Sequence, residues 1–312
     1  MVDSKQQWKA WIYLLPAIVL LLIFTVWPII NTVRIAFLEN YSPLGAQGGQ
    51  TFSFGFSNFV SVVKYKGFID CLKNTVLLTI ITVPISCFLA LLVSVFLNSI
   101  PKFSKLFQTI YFLPYVTNSI AIGMVFAMMF NIVGLNPTGN DAQSWGIINN
   151  IIMAFGAKPI NWINQGSSYA ANIAVMSIYI VWNALPFKIL ILLGGLQSVN
   201  KQYYDAAKID GASKGRVFWK ITVPLLSPMI AYVIITGFMG GFKEYSSIIG
   251  VFGENMGPAG GKERLNTMVG YVYAQISQDN YGKASAAALI LFAIILVVTL
   301  INLYVSKKKV HY

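Results

Sequence analysis

The chain has 312 residues, of which 56% are hydrophobic and only 10% charged, and its mean hydropathy is +0.67. A soluble domain carries about 25% charged residues, so the composition excludes a water-soluble globular protein. It leaves room for several apolar helices of about 20 residues, the length that crosses a bilayer. The net charge of +12 is dispersed among apolar runs and not gathered in a stripe. It fits basic residues retained on the cytoplasmic side of a membrane protein and gives no footprint for nucleic acid.

In chain order, a short tail (1–10) with Lys5 and Lys9 precedes a first apolar run at about 11–33. That run is too long for the apolar core of a signal peptide and no small-residue cleavage site follows, so it is expected to be a retained span. Trp8, Trp11 and Trp27 suit the two interfaces. A long loop (about 35–73) containing Gly45–Gly49 leads to a second run at 75–97. Cys71 and Cys87 have no metal spacing and suggest no disulfide framework, and no metal site is expected. The third run, 109–130, contains Pro114, after which Tyr115 and Ser119 lie four apart and are expected on one helical face. A second long loop (about 132–169) precedes the fourth run, 170–193, where Asn183 and Ala184 come just before Pro186. Lys188, beyond that proline, is read as a snorkelling side chain or a carbonyl partner without an assigned function. The fifth run is placed at 224–249 and the sixth at 284–305, with a third loop (about 250–283) between them and a basic tail (307–312) at the end.

The expected fold is therefore an all-α membrane protein of about six transmembrane helices, with a membrane domain over 11–306. With the N-terminus inside, the inner segments hold Lys5, Lys9, Lys102, Lys105, Lys201, Lys208, Lys214, Arg216, Lys220 and Lys307–Lys309. The outer segments hold fewer (Arg34, Lys64, Lys66, Lys73, Lys158, Lys262 and Arg264), which favours both termini in the cytoplasm.

Between the fourth and fifth runs (about 197–223) lies a polar segment beginning Gln202-Tyr-Tyr-Asp205-Ala206-Ala207-Lys208-Ile209-Asp210-Gly211-Ala212-Ser213. Ser198 or Asn200 can cap a helix through Ile209, Gly211 supplies a turn that side chains resist, and Val217, Phe218 and Ile221 share one side of a second helix. The ordinary reading is a loop lying on the headgroups; the alternative is a surface that a soluble partner receives. The order Asp205-Ala206-Ala207, Asp210-Gly211-Ala212, Phe218, Ile221, Pro224, Pro228 resembles the EAA loop of ABC-importer permeases, with Asp205 in place of the usual Glu. The resemblance implies that this loop, through Asp205, Ala206, Ala207, Asp210, Gly211, Ala212 and Phe218, inserts into a cleft of an ATPase subunit.

Further stretches, Trp11–Pro16 with Trp27-Pro28, Asn58-Phe59 with Asn74-Thr75, and Phe112–Tyr115, are similar to the carbohydrate-uptake branch, the maltose-type permease F subunit and its six-span relatives. The Gly253–Gly261 segment matches the family pattern only roughly. The resemblance implies a bacterial plasma-membrane subunit paired with a second homologous permease and two ATPase subunits, and fed by an extracytoplasmic sugar-binding protein. No phosphate-binding loop occurs in the chain, so no cofactor is expected on it, and ATP with magnesium would be used by the partner ATPase.

A sugar site wants aromatic faces and small hydrogen-bonding groups on helices around a cavity. By position, the resemblance implies substrate contacts at Tyr115, Ser119, Asn183, Ala184, Gly237, Gly240, Gly241 and Glu244. The last four have helical i, i+3, i+4, i+7 spacing, and an ionisable group inside a span is expected to face water or a partner. The expected function is the translocation subunit of an importer for a carbohydrate, an oligosaccharide in particular. Rivals are a permease for a non-sugar such as a glycerol phosphate ester, an ion-coupled secondary transporter, for which no internal repeat is found, and an intramembrane enzyme, whose catalytic signatures are missing.

Overall fold

The computed structural model describes residues 7–42, 53–100, 104–133 and 144–309. Gly48 and its glycine-rich neighbours, most of the 1–10 tail, Lys102 and His311 lie outside these residues. The described residues are helical almost throughout. α1 (Gln7–Leu21) passes through a π-helical turn (Leu22–Val26) into α2 (Trp27–Ala36), and α3 (Ser57–Lys64) precedes the long α4 (Lys66–Asn98). Next come α5 (Ser104–Val116), α6 (Ser119–Phe130), a two-residue antiparallel strand pair (β1, Ile132–Val133; β2, Ser144–Trp145), α7 (Ile147–Ala154) and α8 (Tyr169–Ser198). The remainder is α9 (Gln202–Ile209), α10 (Lys214–Val217), a π-helical turn (Phe218–Thr222), α11 (Val223–Leu225), α12 (Ser227–Gly241), α13 (Ser246–Phe252), α14 (Met268–Ser277) and α15 (Tyr281–Lys309).

Among the described residues, four stretches are long and apolar enough to cross a bilayer: Trp11–Ala36, Lys66–Asn98, Tyr169–Ser198 and Tyr281–Lys308. Two more qualify only as bent pairs, Thr109–Val116 with Ser119–Phe130, bent by 104°, and Lys214–Leu225 with Ser227–Gly241, bent by 68°. The described residues are thus helical apart from the short β1–β2 pair, with four to six candidate spans among them. The third and fifth apolar runs are interrupted, which hydropathy alone does not register. In the third, Asn118 leaves the helical conformation, and its side-chain oxygen accepts from Ile120 N (2.8 Å) and starts a new helix.

The chain divides into two compact units, residues 1–69 with 270–292 and residues 70–269 with 293–312. In the first, Asn58 on α3 is buried and its Nδ2 donates to the carbonyls of Ala36 (3.1 Å) and Leu38 (3.0 Å). Those carbonyls at the end of α2 have no helical partner, and the amide satisfies them. A Cβ at Gly282, in the first turn of α15, would come within 2.7 Å of the same amide, so only glycine lets that helix approach. Phe37, Phe54, Phe56 and Phe59 gather with ring centroids 5.0–6.4 Å apart. Nearby, hydrogen bonds from Ser57 and Ser53 hold the Glu39 carboxyl below the usual carboxylate range.

In the second unit, one apolar cluster surrounds the fully buried Tyr179, Met176 and Ile248, and another surrounds Leu192, Ala90 and Leu226. In lipid such contacts are held by close packing and hydrogen bonds more than by exclusion of water. Accordingly α6 and α13 meet backbone to backbone, and a Cβ on Gly123 would lie 2.6 Å from Gly250 Cα. A polar knot ties the start of α4 to the 264–268 segment. Asn74 Nδ2 donates to Arg264 O (3.1 Å) and Asn266 O (2.9 Å), Tyr169 Oη donates to Asn74 Oδ1 (2.7 Å), and Met268 N donates to Thr75 Oγ1 (3.0 Å).

Candidate functional site

α4, α5, α8 and α12 line a half-open cavity of about 260 Å³. α4 contributes Thr82 and Ser86 from a stripe of hydroxyls, Thr75, Thr79, Thr82 and Ser86, spaced at three or four residues so that they share one face. Each donates to the carbonyl four residues earlier, at 2.6–2.8 Å. The protons are therefore used within the helix, and lone pairs remain for partners.

Tyr115 reaches the cavity from α5 and stacks on Phe187 of α8, with centroids 5.7 Å apart and planes 19° from parallel. Asn183 and Ala184 line it from the turn before Pro186. Ser119, expected beside Tyr115, does not line it. The break at Asn118 puts the two residues on different helices, and the Ser119 hydroxyl lies 3.1 Å from Tyr179 Oη while its carbonyl accepts from the same phenol. Here the helical-face expectation is corrected.

The expected stripe on the fifth span is likewise altered. Gly237, Gly240 and Gly241 all border the cavity on α12, but the helix ends at Gly241 and Glu244 lies beyond it. A Cβ on Gly240 would meet nothing within 4 Å, whereas one on Gly241 would lie 2.8 Å from Thr79 Cγ2. Gly240 therefore opens space, while Gly241 lets α12 close against α4. Glu244 lines the cavity and its Oε1 accepts from Tyr245 N (3.1 Å) and Ser247 N (3.2 Å) at the start of α13. These bonds hold the carboxylate in one orientation, and the Ser247 side chain hydrogen-bonds to it as well. The Glu244 carbonyl accepts from Thr267 Oγ1 (2.7 Å).

Lys188 was assigned no function from the sequence. It is 5% exposed, donates from Nζ to Ser86 Oγ, and borders the cavity with Phe187 and Thr236. The hydroxyl stripe on α4 and a lysine inside an apolar run were the signals available for it. The cavity as a whole combines an aromatic pair, hydroxyls, one amide, a cation and a carboxylate over a glycine floor, a set that can grip a polyhydroxylated solute from several sides.

The polar segment forms the expected pair of short helices. Asn200 Oδ1 accepts from Gln202 N (3.0 Å), whereas the Ser198 hydroxyl turns back to Gly195 O, so Asn200 is the residue that opens α9. Gly211 has φ +67°, with Ala212 N donating to Ala207 O (2.9 Å) and Gly211 N to Lys208 O (3.2 Å). This is a Schellman C-cap, which favours glycine at that position. Ser213 Oγ then accepts from Arg216 N (3.4 Å) to start α10. Asp205, Ala206 and Asp210 are exposed, as are Tyr203 (55%) and Ile209 (87%), while Ala207 packs inward. Ala212 and Phe218 border a groove that runs to Asn98 and Leu196.

Residues 55–311 match the family described as binding-protein-dependent transport system inner membrane component. The chain belongs to this family. The resemblance to importer permeases read from residues 202–228 is thus borne out. Among relatives in the family, the arabinooligosaccharides transport system permease protein AraP of Bacillus subtilis (strain 168) is 30% identical over 298 residues, 95% of this chain and 88% of that protein. The lactose transport system permease protein LacF of Rhizobium radiobacter is 27% identical over 305 residues, covering 96% and 95%. The fold is that of a solved chain from a bacterial alginate ABC transporter in complex with alginate pentasaccharide-bound periplasmic protein. The TM-score is 0.77 at 24% identity, with 98% of this chain and 96% of that one covered.

Proposed function

We propose that this chain is the membrane-spanning subunit of an ATP-driven, binding-protein-dependent importer, and that the cavity between α4, α5, α8 and α12 carries a carbohydrate, an oligosaccharide in particular. The observation that carries this reading is the cavity's chemistry. The Tyr115–Phe187 stack offers a face for a sugar ring, and Thr82, Ser86, Asn183, Lys188 and Glu244 offer donors and acceptors around it. Relatives that carry arabinooligosaccharides and lactose in their names support it.

In this reading Tyr115, Asn183, Ala184, Gly237, Gly240, Gly241 and Glu244 border the passage, and Ser119 acts by positioning Tyr179. The α9–α10 segment, through Asp205, Ala206, Asp210 and Ala212, docks on one of two ATPase subunits, with Ala207, Gly211 and Phe218 giving it shape. A second permease completes the passage, and an extracytoplasmic binding protein delivers the sugar. Both termini and the docking segment face the cytoplasm. The chain hydrolyses no ATP itself and binds no cofactor; nucleotide and magnesium belong to the ATPase.

The test is uptake of radiolabelled arabinotriose, lactose and raffinose into vesicles holding the purified complex. Accumulation of one of them that requires both internal ATP and the binding protein is the expected result. Uptake driven by an ion gradient without ATP would overturn the proposal.

A further inference from the structure

α3 has three distinct faces, and one of them is an apolar surface that the chain leaves open. At about 100° per residue, Asn58 and Val62 point one way and are buried, at 8% and 0% exposure. Ser57, Ser61 and Lys64 form a polar edge. Phe56, Val60 and Val63 form an apolar edge, continued by Phe54, and all four are exposed. Val60 N donates to Phe56 O (3.0 Å), which puts Phe56 in register with the helix it precedes. The polar and apolar edges flank the direction opposite the buried face. A helix lying along the flank of the protein, with water above and lipid below, presents this pattern.

The depth of α3 is set independently by Asn58. Its amide is tied to the carbonyls of Ala36 and Leu38, where the Trp11–Ala36 span ends, and it packs against Gly282, where the Tyr281–Lys308 span begins. Arg34 lies in the last turn of α2, just past the apolar run. Two span ends and a terminal arginine therefore coincide at the start of α3, at the boundary between hydrocarbon and headgroups.

We infer that α3, with Phe54 and Phe56 leading into it, is an interfacial anchor whose apolar edge lies in the lipid surface of the leaflet where the first span ends. The occupant of that edge is phospholipid, because Phe54 and Phe56 pack on Phe37, one residue past α2, so the edge adjoins the end of the exposed, apolar first span. A bilayer surface takes up an apolar edge and leaves the polar edge beside it in water, which is the division these two edges show.

The test uses the whole complex in vesicles of phosphatidylcholine and phosphatidylglycerol. Nitroxide labels are placed by Val60→Cys and, separately, Ser61→Cys; the native Cys71 and Cys87 are buried. The expected result is a several-fold higher ratio of oxygen to nickel-chelate accessibility at 60 than at 61. Equal ratios, whether both labels are solvated or both are shielded by another protein, overturn the inference. Should a variant fail to assemble, the unaltered chain decides. A phosphatidylcholine with a photoactivatable diazirine near its glycerol should form adducts on the peptide containing Phe54, Phe56 and Val60, and absence of adducts there overturns the anchor.

Discussion

Lys188 occupies space that Gly237 leaves open: a Cβ on Gly237 would stand 3.2 Å from Lys188 Nζ and 3.0 Å from Val83 Cγ1. The ammonium is kept against Ser86 in the cavity wall by the missing side chain on the facing helix. Gly237→Val should displace Lys188 and narrow the cavity, lowering sugar uptake at least tenfold while the complex still assembles. Gly240→Ala meets no protein atom within 4 Å and should leave thermal stability unchanged. Uptake assays paired with thermal unfolding in detergent check both, and normal uptake in Gly237→Val would remove Lys188 from the passage.

Glu244 has two tasks that substitution can separate. Gln keeps an oxygen for Tyr245 N and Ser247 N, whereas Ala removes the cap, a loss of about 0.5–2 kcal/mol. A substrate hydroxyl bonded to the carboxylate adds about 1.5–3 kcal/mol, or roughly ten- to a hundredfold in affinity. Glu244→Gln should therefore unfold near the wild-type temperature with weakened uptake, and Glu244→Ala should lose both. Wild-type uptake kinetics in an assembled Glu244→Ala complex would exclude the substrate contact.

Gly211 tests the docking segment. Its φ of +67° strains any side chain, by about 1–2 kcal/mol, although a Cβ there meets nothing within 4 Å. The effect should grow with conformational stiffness and not with volume: Gly211→Asn mild, Gly211→Val severe. Both should insert into the membrane, and Gly211→Val should fail to co-purify with the ATPase. Normal co-purification and transport would separate this turn from coupling.

The proposed sidedness predicts that maleimide reagents reach Ser213→Cys only from the cytoplasm and Gly48→Cys only from outside. Buried Cys71 and Cys87 give little background. Labelling of both from one side would overturn the assigned topology.

Loss of Asn74 should loosen the polar knot. Asn74→Ala leaves the carbonyls of Arg264 and Asn266 and the Tyr169 hydroxyl without that amide. A buried polar group without a partner costs about 1–3 kcal/mol. A lower unfolding temperature with cavity residues intact is expected, and an unchanged one would mean that water replaces the amide.

The spans and the α9–α10 segment were legible because apolar run length, Gly211 and the small residues around it are local signals. Asn58 and Asn74 were noticed as part of a family pattern, but their work is done across 20–192 residues of chain, which no local spacing reveals. The break after Val116 was hidden because Asn118 is one polar residue in an apolar stretch, and whether it caps or continues a helix depends on what its neighbours pack against. Ser119 and Glu244 were misplaced on helical faces for that same reason: periodicity assumes an unbroken helix. Lys188 was read as a snorkelling side chain or a carbonyl partner because a cation inside a span looks costly until Ser86 and the empty side of Gly237 are known.

The α4 hydroxyls have a chemical bias that follows from their bonding. Since Thr82 and Ser86 give their protons to Leu78 and Thr82 carbonyls, that wall is electron-rich and short of hydrogen to offer. A polyol brings its own protons and is held there. Its fully methylated counterpart, with nothing to donate, would lose the contacts to these hydroxyls and keep only those from donors such as Lys188 Nζ and Asn183.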